Sequence, residues 1–164
     1  MSEFDDFAME HLRDKENRKR LVEDTKPEWA VLKGLTSRFA IDGKEFDGNK
    51  FEWAPYTAYH PEFLKLGDVA ATFLSREEEG TPRNCRVRFS RRPLEPGRMW
   101  IDEKSPLEAI EWSLCAVIDG DSIAWEVAEL DQTLSSEALA EKIAVELSKY
   151  HLAYKKHYDN WSVA

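Results

Sequence analysis

The sequence predicts an α+β fold in which about five or six antiparallel strands form a meandering sheet, with two N-terminal helices and one long C-terminal helix packed on it. Apolar residues recur three and four positions apart at both ends of the chain, whereas they alternate through the middle. The links between the alternating runs are too short for parallel crossovers. We therefore expect a single domain over residues 1–164, with a helical part at 1–42, the sheet at 47–131 and the last helix at 135–159.

The N-terminal part is predicted to contain two helices. Ser2 can cap a first helix over Glu3–Glu23, in which Phe4, Phe7 and Leu12 form an apolar stripe. The run Thr-Lys-Pro-Glu at 25–28 then combines a capping residue, a proline in the first turn and a capping-box glutamate. This combination predicts the start of a second helix.

In the sheet, the hairpin over 110–127 has the clearest pattern. The predicted strands are Lys50–Ala54, Val69–Arg76, Asn84–Arg92, a short run at Arg98–Asp102 and the two arms of this hairpin. We expect Tyr56–Gly67 to be a loop with room for one helical turn. If Asp119 pairs with Ser122, the hairpin register places Ile118 opposite Ile123, Ala116 opposite Trp125 and Leu114 opposite Val127, with Trp112 on the same face.

The last helix is predicted from Ser136 to Tyr158, because large apolar residues recur there at helical spacing. Either Ser135 or Ser136 can serve as its N-cap. Cys85 and Cys115 each alternate with apolar neighbours, so we expect both to be buried free thiols.

Charge is distributed unevenly along the chain. The net charge is −9, but residues 81–98 contain six arginines and one glutamate, which leaves −14 on the remainder. Within this arginine strip, defined as residues 83–98, we expect Arg86, Arg88, Arg91 and Arg92 to bind an anion or an acidic partner, since guanidinium groups pair bidentately with carboxylate and phosphate. Internal pairing with the acidic run 77–79 is the alternative.

Two groups of aromatic residues are candidate ligand-pocket or interface residues. One group lies in or beside the predicted loop, and the other follows the end of the last helix. Tyrosine and tryptophan suit half-exposed contact surfaces, although completing the core is the simpler role for any one of them. The candidates are Trp53, Tyr56, Tyr59, Tyr154, Tyr158 and Trp161.

No catalytic motif of a common class occurs in the sequence, and the four histidines are not spaced as metal ligands. We therefore predict no catalytic residue, no metal and no cofactor. Cys115 lies near Glu126 and Glu111, whose charges would raise rather than lower a thiol pKa. The acidic N-terminus does not resemble a signal peptide and no apolar run is long enough for a membrane span, so we expect a cytoplasmic protein that does not bind membranes.

Three functional hypotheses remain at this point. The first is a non-enzymatic binding or adaptor protein, expected to be a homodimer; dimeric secretion-chaperone-like adaptors have a similar layout, which does not by itself assign function. The second is a small-ligand pocket, with or without enzymatic activity, between sheet and helices and lined by Trp53, Trp112 and Trp125. The third and weakest is RNA or single-strand binding through the arginine strip, which the acidic overall charge disfavours.

Overall fold

The computed structural model describes residues 2–78, 80–100 and 106–162, with side chains described except at 78 and 160–162. The chain begins with helix α1 (Glu3–Ile41) and ends with helix α2 (Ser136–Ser162). Between them, the described strands form an antiparallel sheet in which each strand pairs with the next one along the chain. The strands are β1 (Glu45–Phe46), β2 (Asn49–Ala54), β3 (Phe63–Leu66), β4 (Val69–Glu78), β5 (Thr81–Arg91), β6 (Ile110–Asp119), β7 (Ser122–Val127) and β8 (Gln132–Leu134).

The prediction of two N-terminal helices is wrong, because α1 continues through Pro27 without a break. A proline inside a helix removes one backbone hydrogen bond and crowds the preceding turn. Here the residues on both sides are held by tertiary packing, since Thr25 and Trp29 are both buried. Thr25 also donates its hydroxyl to the Leu21 carbonyl.

The α+β class and the antiparallel sheet are confirmed, but the described sheet has eight strands rather than five or six. It runs from Glu45 to Leu134, beyond both ends of the predicted 47–131. β3 lies inside the predicted loop Tyr56–Gly67; Phe63 and Leu64 are both buried, so the strand shows no alternation to detect. The predicted strand at Arg98–Asp102 is not formed over 98–100, and its last two residues lie outside the described ranges.

The register predicted for the β6–β7 hairpin is confirmed at every pair from Leu114–Val127 to Asp119–Ser122. Trp112 and Trp125 both belong to the core, on the sheet face against which α1 and α2 pack. We call this the covered face and the opposite one the open face. Cross-strand pairing places Thr72, Arg88 and Glu111 in one row on the open face.

The expectation of two buried thiols is wrong for Cys115. Both cysteines are free, but only Cys85 is buried. Cys115 pairs with Glu126 across the hairpin and lies on the open face, where no helix covers it. Neither helix within the described residues combines the length and the apolar character that a bilayer span needs.

Candidate functional site

A groove forms where β4 continues past the end of β3. The two strands pair from Leu66–Val69 to Phe63–Thr72, and the Phe73 N–H then donates to the Glu62 carbonyl at 3.0 Å. β4 runs on to Glu78, and no described strand pairs with it on that side. The groove has a volume of about 770 Å³ and lies between this free edge, the segment 56–62 and α1. We call it the edge groove.

Buried aromatic rings form the floor of the edge groove. Trp29 of α1 packs edge-on against Phe73 of β4, with ring centroids 5.7 Å apart, and against Trp125 at 5.8 Å. The ring centre of Trp53, in β2, lies 5.6 Å from that of Phe73. Because these rings hold one another in the core, the floor is apolar and rigid.

A turn at Thr57 shapes the outer wall. The Thr57 hydroxyl accepts hydrogen bonds from the backbone N–H groups of Tyr59 (3.2 Å) and His60 (3.3 Å). The His60 ring packs edge-on against Phe63 at 5.3 Å, which ties the turn to β3. Tyr56 and Tyr59 are left 72% and 75% exposed beside the groove. Two of the aromatic residues predicted from the sequence therefore line the same cavity.

Two cations border the edge groove, and each has a carboxylate partner. Lys33 Nζ lies 3.3 Å from Glu62 Oε1 and 5.7 Å from the centre of the Trp29 ring. Arg86 Nη1 lies 2.7 Å from Glu111 Oε1. The described partner of Arg86 therefore comes from β6. The groove offers charged pairs at its rim rather than a bare cationic patch.

The remaining predicted arginines do not form one strip, because strand alternation sends them to different faces. Arg88 is exposed on the open face and forms no ion pair within the described residues. Arg92 Nε lies 4.0 Å from Asp68 Oδ1. Arg91 instead lies on the covered face, with its guanidinium 4.6 Å from the ring centre of Trp100 and 5.1 Å from that of Tyr158.

The second aromatic group lies near Arg91 and away from the edge groove. Tyr154 is buried and Tyr158 is partly buried, with their ring centres 4.5 Å apart, and both rings belong to or border the core. Trp161 is in the last turn of α2, and its side chain is outside the described part of the chain. Trp112 and Trp125, which the sequence suggested as the lining of a pocket, are core residues, and Trp125 also borders a cavity of about 840 Å³ beside Cys85 and Arg86.

One polar cluster had no signal in the sequence. His151 of α2 is buried, and its Nε2 lies 3.1 Å from Asp47 Oδ2 in the β1–β2 turn. Lys155 Nζ lies 3.4 Å from the same oxygen. The hydrogen bonds from His151 and Lys155 lower the pKa of Asp47. Helix and turn are far apart in sequence, so only tertiary structure brings these three residues together.

Burial raises the pKa of the Cys85 thiol to about 12, which keeps it protonated and unreactive. In the described ranges, no three His, Cys, Asp or Glu side chains are grouped to hold a metal ion.

No protein-family model matches the chain, and neither the curated proteins nor the solved structures contain a match to it.

Proposed function

We propose that this chain is a non-enzymatic binding protein that captures an extended segment of a partner protein in the edge groove. The bound segment adds a strand to the free edge of β4, a common mode of peptide recognition. The observation that carries the proposal is the coincidence of an unpaired strand edge with an aromatic-floored groove of about 770 Å³.

Backbone groups of β4 supply the first part of the recognition. The Phe73 N–H donates on the β3 side of β4, and the strand then continues to Glu78 without a described partner on that side. The pairing of β4 with β5 shifts register between Leu74 and Arg76, at the start of this free edge. Such an edge is a template for pairing with another chain unless it is blocked. A bound segment would form hydrogen bonds with the backbone groups of this edge, whatever side chains the segment carries.

Side chains supply the specificity. An apolar residue of the bound segment would lie over Trp29 and Phe73, while Tyr56 and Tyr59 would close over it from the outer wall. Aromatic side chains that are exposed before binding are enriched at interfaces, because they bury a large area at little entropic cost. An acidic residue on the other side of the segment could pair with Arg86, which lines the groove.

The test is selection of a random peptide library displayed on phage against the immobilised protein, followed by affinity measurement with labelled synthetic peptides. Ser75→Pro removes one backbone N–H from the stretch of β4 that has no described strand on its β3 side, so we expect it to abolish peptide binding while the folded structure persists. Ser75→Ala keeps the N–H and is the matched control. Tyr56→Ala should weaken binding about tenfold, as expected for an interface aromatic.

Failure of the selection to enrich any sequence would contradict the proposal. Equal peptide affinity for wild type and Ser75→Pro would contradict strand addition in particular. Circular dichroism and thermal melting of both variants separate loss of binding from loss of fold.

A small organic ligand is the second candidate, because a cavity of about 770 Å³ is within the usual size range of ligand sites. Such a ligand would stabilise the protein against heat and would bind Ser75→Pro as well as wild type. Binding of single-stranded RNA has less support, because Arg86 and Arg92 lie close to carboxylates and Arg91 faces the helices.

A further inference from the structure

The N-terminal half of α1 projects beyond the sheet. Every residue from 2 to 19 is exposed except Ala8, which is partly buried. The first described contact with the sheet is made by Arg20, whose Nη1 donates to the Gly120 carbonyl at 3.1 Å. We call residues 3–20 the projecting segment; it is about 27 Å long.

The projecting segment carries an apolar stripe that nothing in the described structure covers. Phe4 is 74% exposed, Phe7 69% and Leu12 58%. They lie on neighbouring positions of one side of the helix, with Ala8 between them. A helix of this length without tertiary contacts is marginal in water, so a partner that covers this side would stabilise it.

The charges of the projecting segment are separated along its length. Residues 3–12 contain four acidic residues and no lysine or arginine, whereas residues 13–20 contain five basic residues and two acidic ones. Two parallel copies would place like charges side by side. Two antiparallel copies place the acidic half of each against the basic half of the other, which is favourable.

We propose that the projecting segments of two copies of this chain pair in antiparallel fashion and form a homodimer. With the two-fold axis between residues 11 and 12, Phe4 and Asp5 of one copy lie near Lys19 of the other, because Asp5 and Lys19 are on the same flank of the apolar stripe. The phenyl rings then pack on the aliphatic stems of lysine and arginine side chains, with their charges at the rim. The interface is isologous, as a closed dimer requires. This proposal is independent of the edge groove.

The oligomeric state is measured by sedimentation velocity of the full chain over a range of micromolar concentrations. We expect a species of twice the 19.0 kDa chain mass that dissociates on dilution and in high salt. Phe4→Ala with Phe7→Ala should raise the dissociation constant at least about tenfold, since each removes a buried aromatic anchor. Met9→Ala is the matched control and should change it little, because Met9 is exposed and lies about 140° around the helix from Phe4.

Charge reversal tests the pairing and cross-linking tests its direction. Lys15→Glu, Arg18→Glu and Lys19→Glu together give both halves of the segment a net negative charge, so this variant should be monomeric. Mixing it with a Glu3→Lys, Asp5→Lys, Glu10→Lys variant should restore the dimer. In a Cys115→Ser background, Asp5→Cys should form a disulfide with Lys19→Cys on a second chain and not with itself.

A chain that stays monomeric at every concentration would overturn the proposal, as would a dimer that the two phenylalanine substitutions leave unchanged. A disulfide between two Asp5→Cys chains would show a parallel arrangement and overturn the antiparallel one. Because the projecting segment makes no described contact with the core before Arg20, these variants should keep the wild-type melting transition of the sheet.

Discussion

A short hydrogen-bond relay connects the core of the sheet to both helices, and its middle residue is a sensitive point for stability. The indole N–H of Trp125 donates to Ser136 Oγ at 2.9 Å, and the Ser136 hydroxyl donates to Glu28 Oε1 at 2.6 Å. Trp125 is completely buried and Ser136 nearly so, while Glu28 is partly exposed. Ser136→Ala removes the acceptor of one bond and the donor of the other.

The loss of stability in Ser136→Ala depends on whether each former hydrogen-bond partner of Ser136 can find another one. The Trp125 N–H is left in the core without an acceptor, which costs about 1–3 kcal/mol. Glu28 can turn to solvent, so losing its bond costs less than the full value of a charged hydrogen bond, and alanine recovers a few tenths of a kcal/mol in helix propensity. We therefore expect the free energy of unfolding to fall by about 2–3 kcal/mol and the melting temperature by about 5–9 °C.

The assay is urea unfolding of wild type, Ser136→Ala, Trp125→Phe and the double variant. Phenylalanine at 125 has no N–H to leave unpaired, so Ser136→Ala should cost about 1–2 kcal/mol less in that background. Ser135→Ala is the neighbouring control; it removes a hydroxyl that accepts the Ala138 N–H at 3.2 Å and should cost about 1 kcal/mol in both backgrounds. Loss of less than about 0.5 kcal/mol, or an equal loss in both backgrounds, would refute the reasoning.

The two cysteines should differ in reactivity: at neutral pH a thiol reagent should modify Cys115 in the folded protein and Cys85 only after unfolding, because burial raises the pKa of Cys85 to about 12. Mass spectrometry after labelling checks this, and a doubly labelled folded protein would contradict it. The Asp47 cluster should make the free energy of unfolding depend on pH, because folding lowers the pKa of the Asp47 carboxyl. Such a group stabilises the folded state above its unfolded pKa, and this stabilisation is lost as the pH falls through the folded pKa. Asp47→Asn should thus be less stable than wild type at neutral pH, and the difference should shrink below about pH 4, where an aspartate ordinarily titrates. Urea unfolding at several pH values measures this difference. If it stays constant with pH, the charge of Asp47 is not responsible.

Features that depend on the residue repeat of a single strand or helix could be predicted from the sequence alone. In the β6–β7 hairpin, alternation and a two-residue turn admit only one register that places Trp112 and Trp125 on the same side, and this is the register found. The same alternation separates Arg91, which shares the face of Val87 and Phe89, from Arg86 and Arg88. That signal was present in the sequence, although the four predicted arginines were grouped as one strip.

Other features had no local signal. β1 and β8 are two and three residues long, too short to show a period. β3 has only four residues, of which Phe63, Leu64 and Leu66 are buried, so its alternation is too short to detect, and it directly follows an irregular aromatic segment. The capping pattern at 25–28 favours a helix start, so the sequence predicted two helices where there is one. Packing on both sides of Pro27 outweighs the hydrogen bond that the proline removes, and the helix continues.

The sequence by itself determined the α+β class, the antiparallel pairing of the central hairpin and the apolar side of the last helix, because each depends on the repeat distance of a single strand or helix. Only the tertiary structure decided where those elements end relative to one another. The edge groove forms because β4 extends beyond the end of β3, and the projecting segment forms because α1 extends beyond the sheet. Both are differences in length between neighbouring elements, and no residue pattern within one element records how far its neighbour extends.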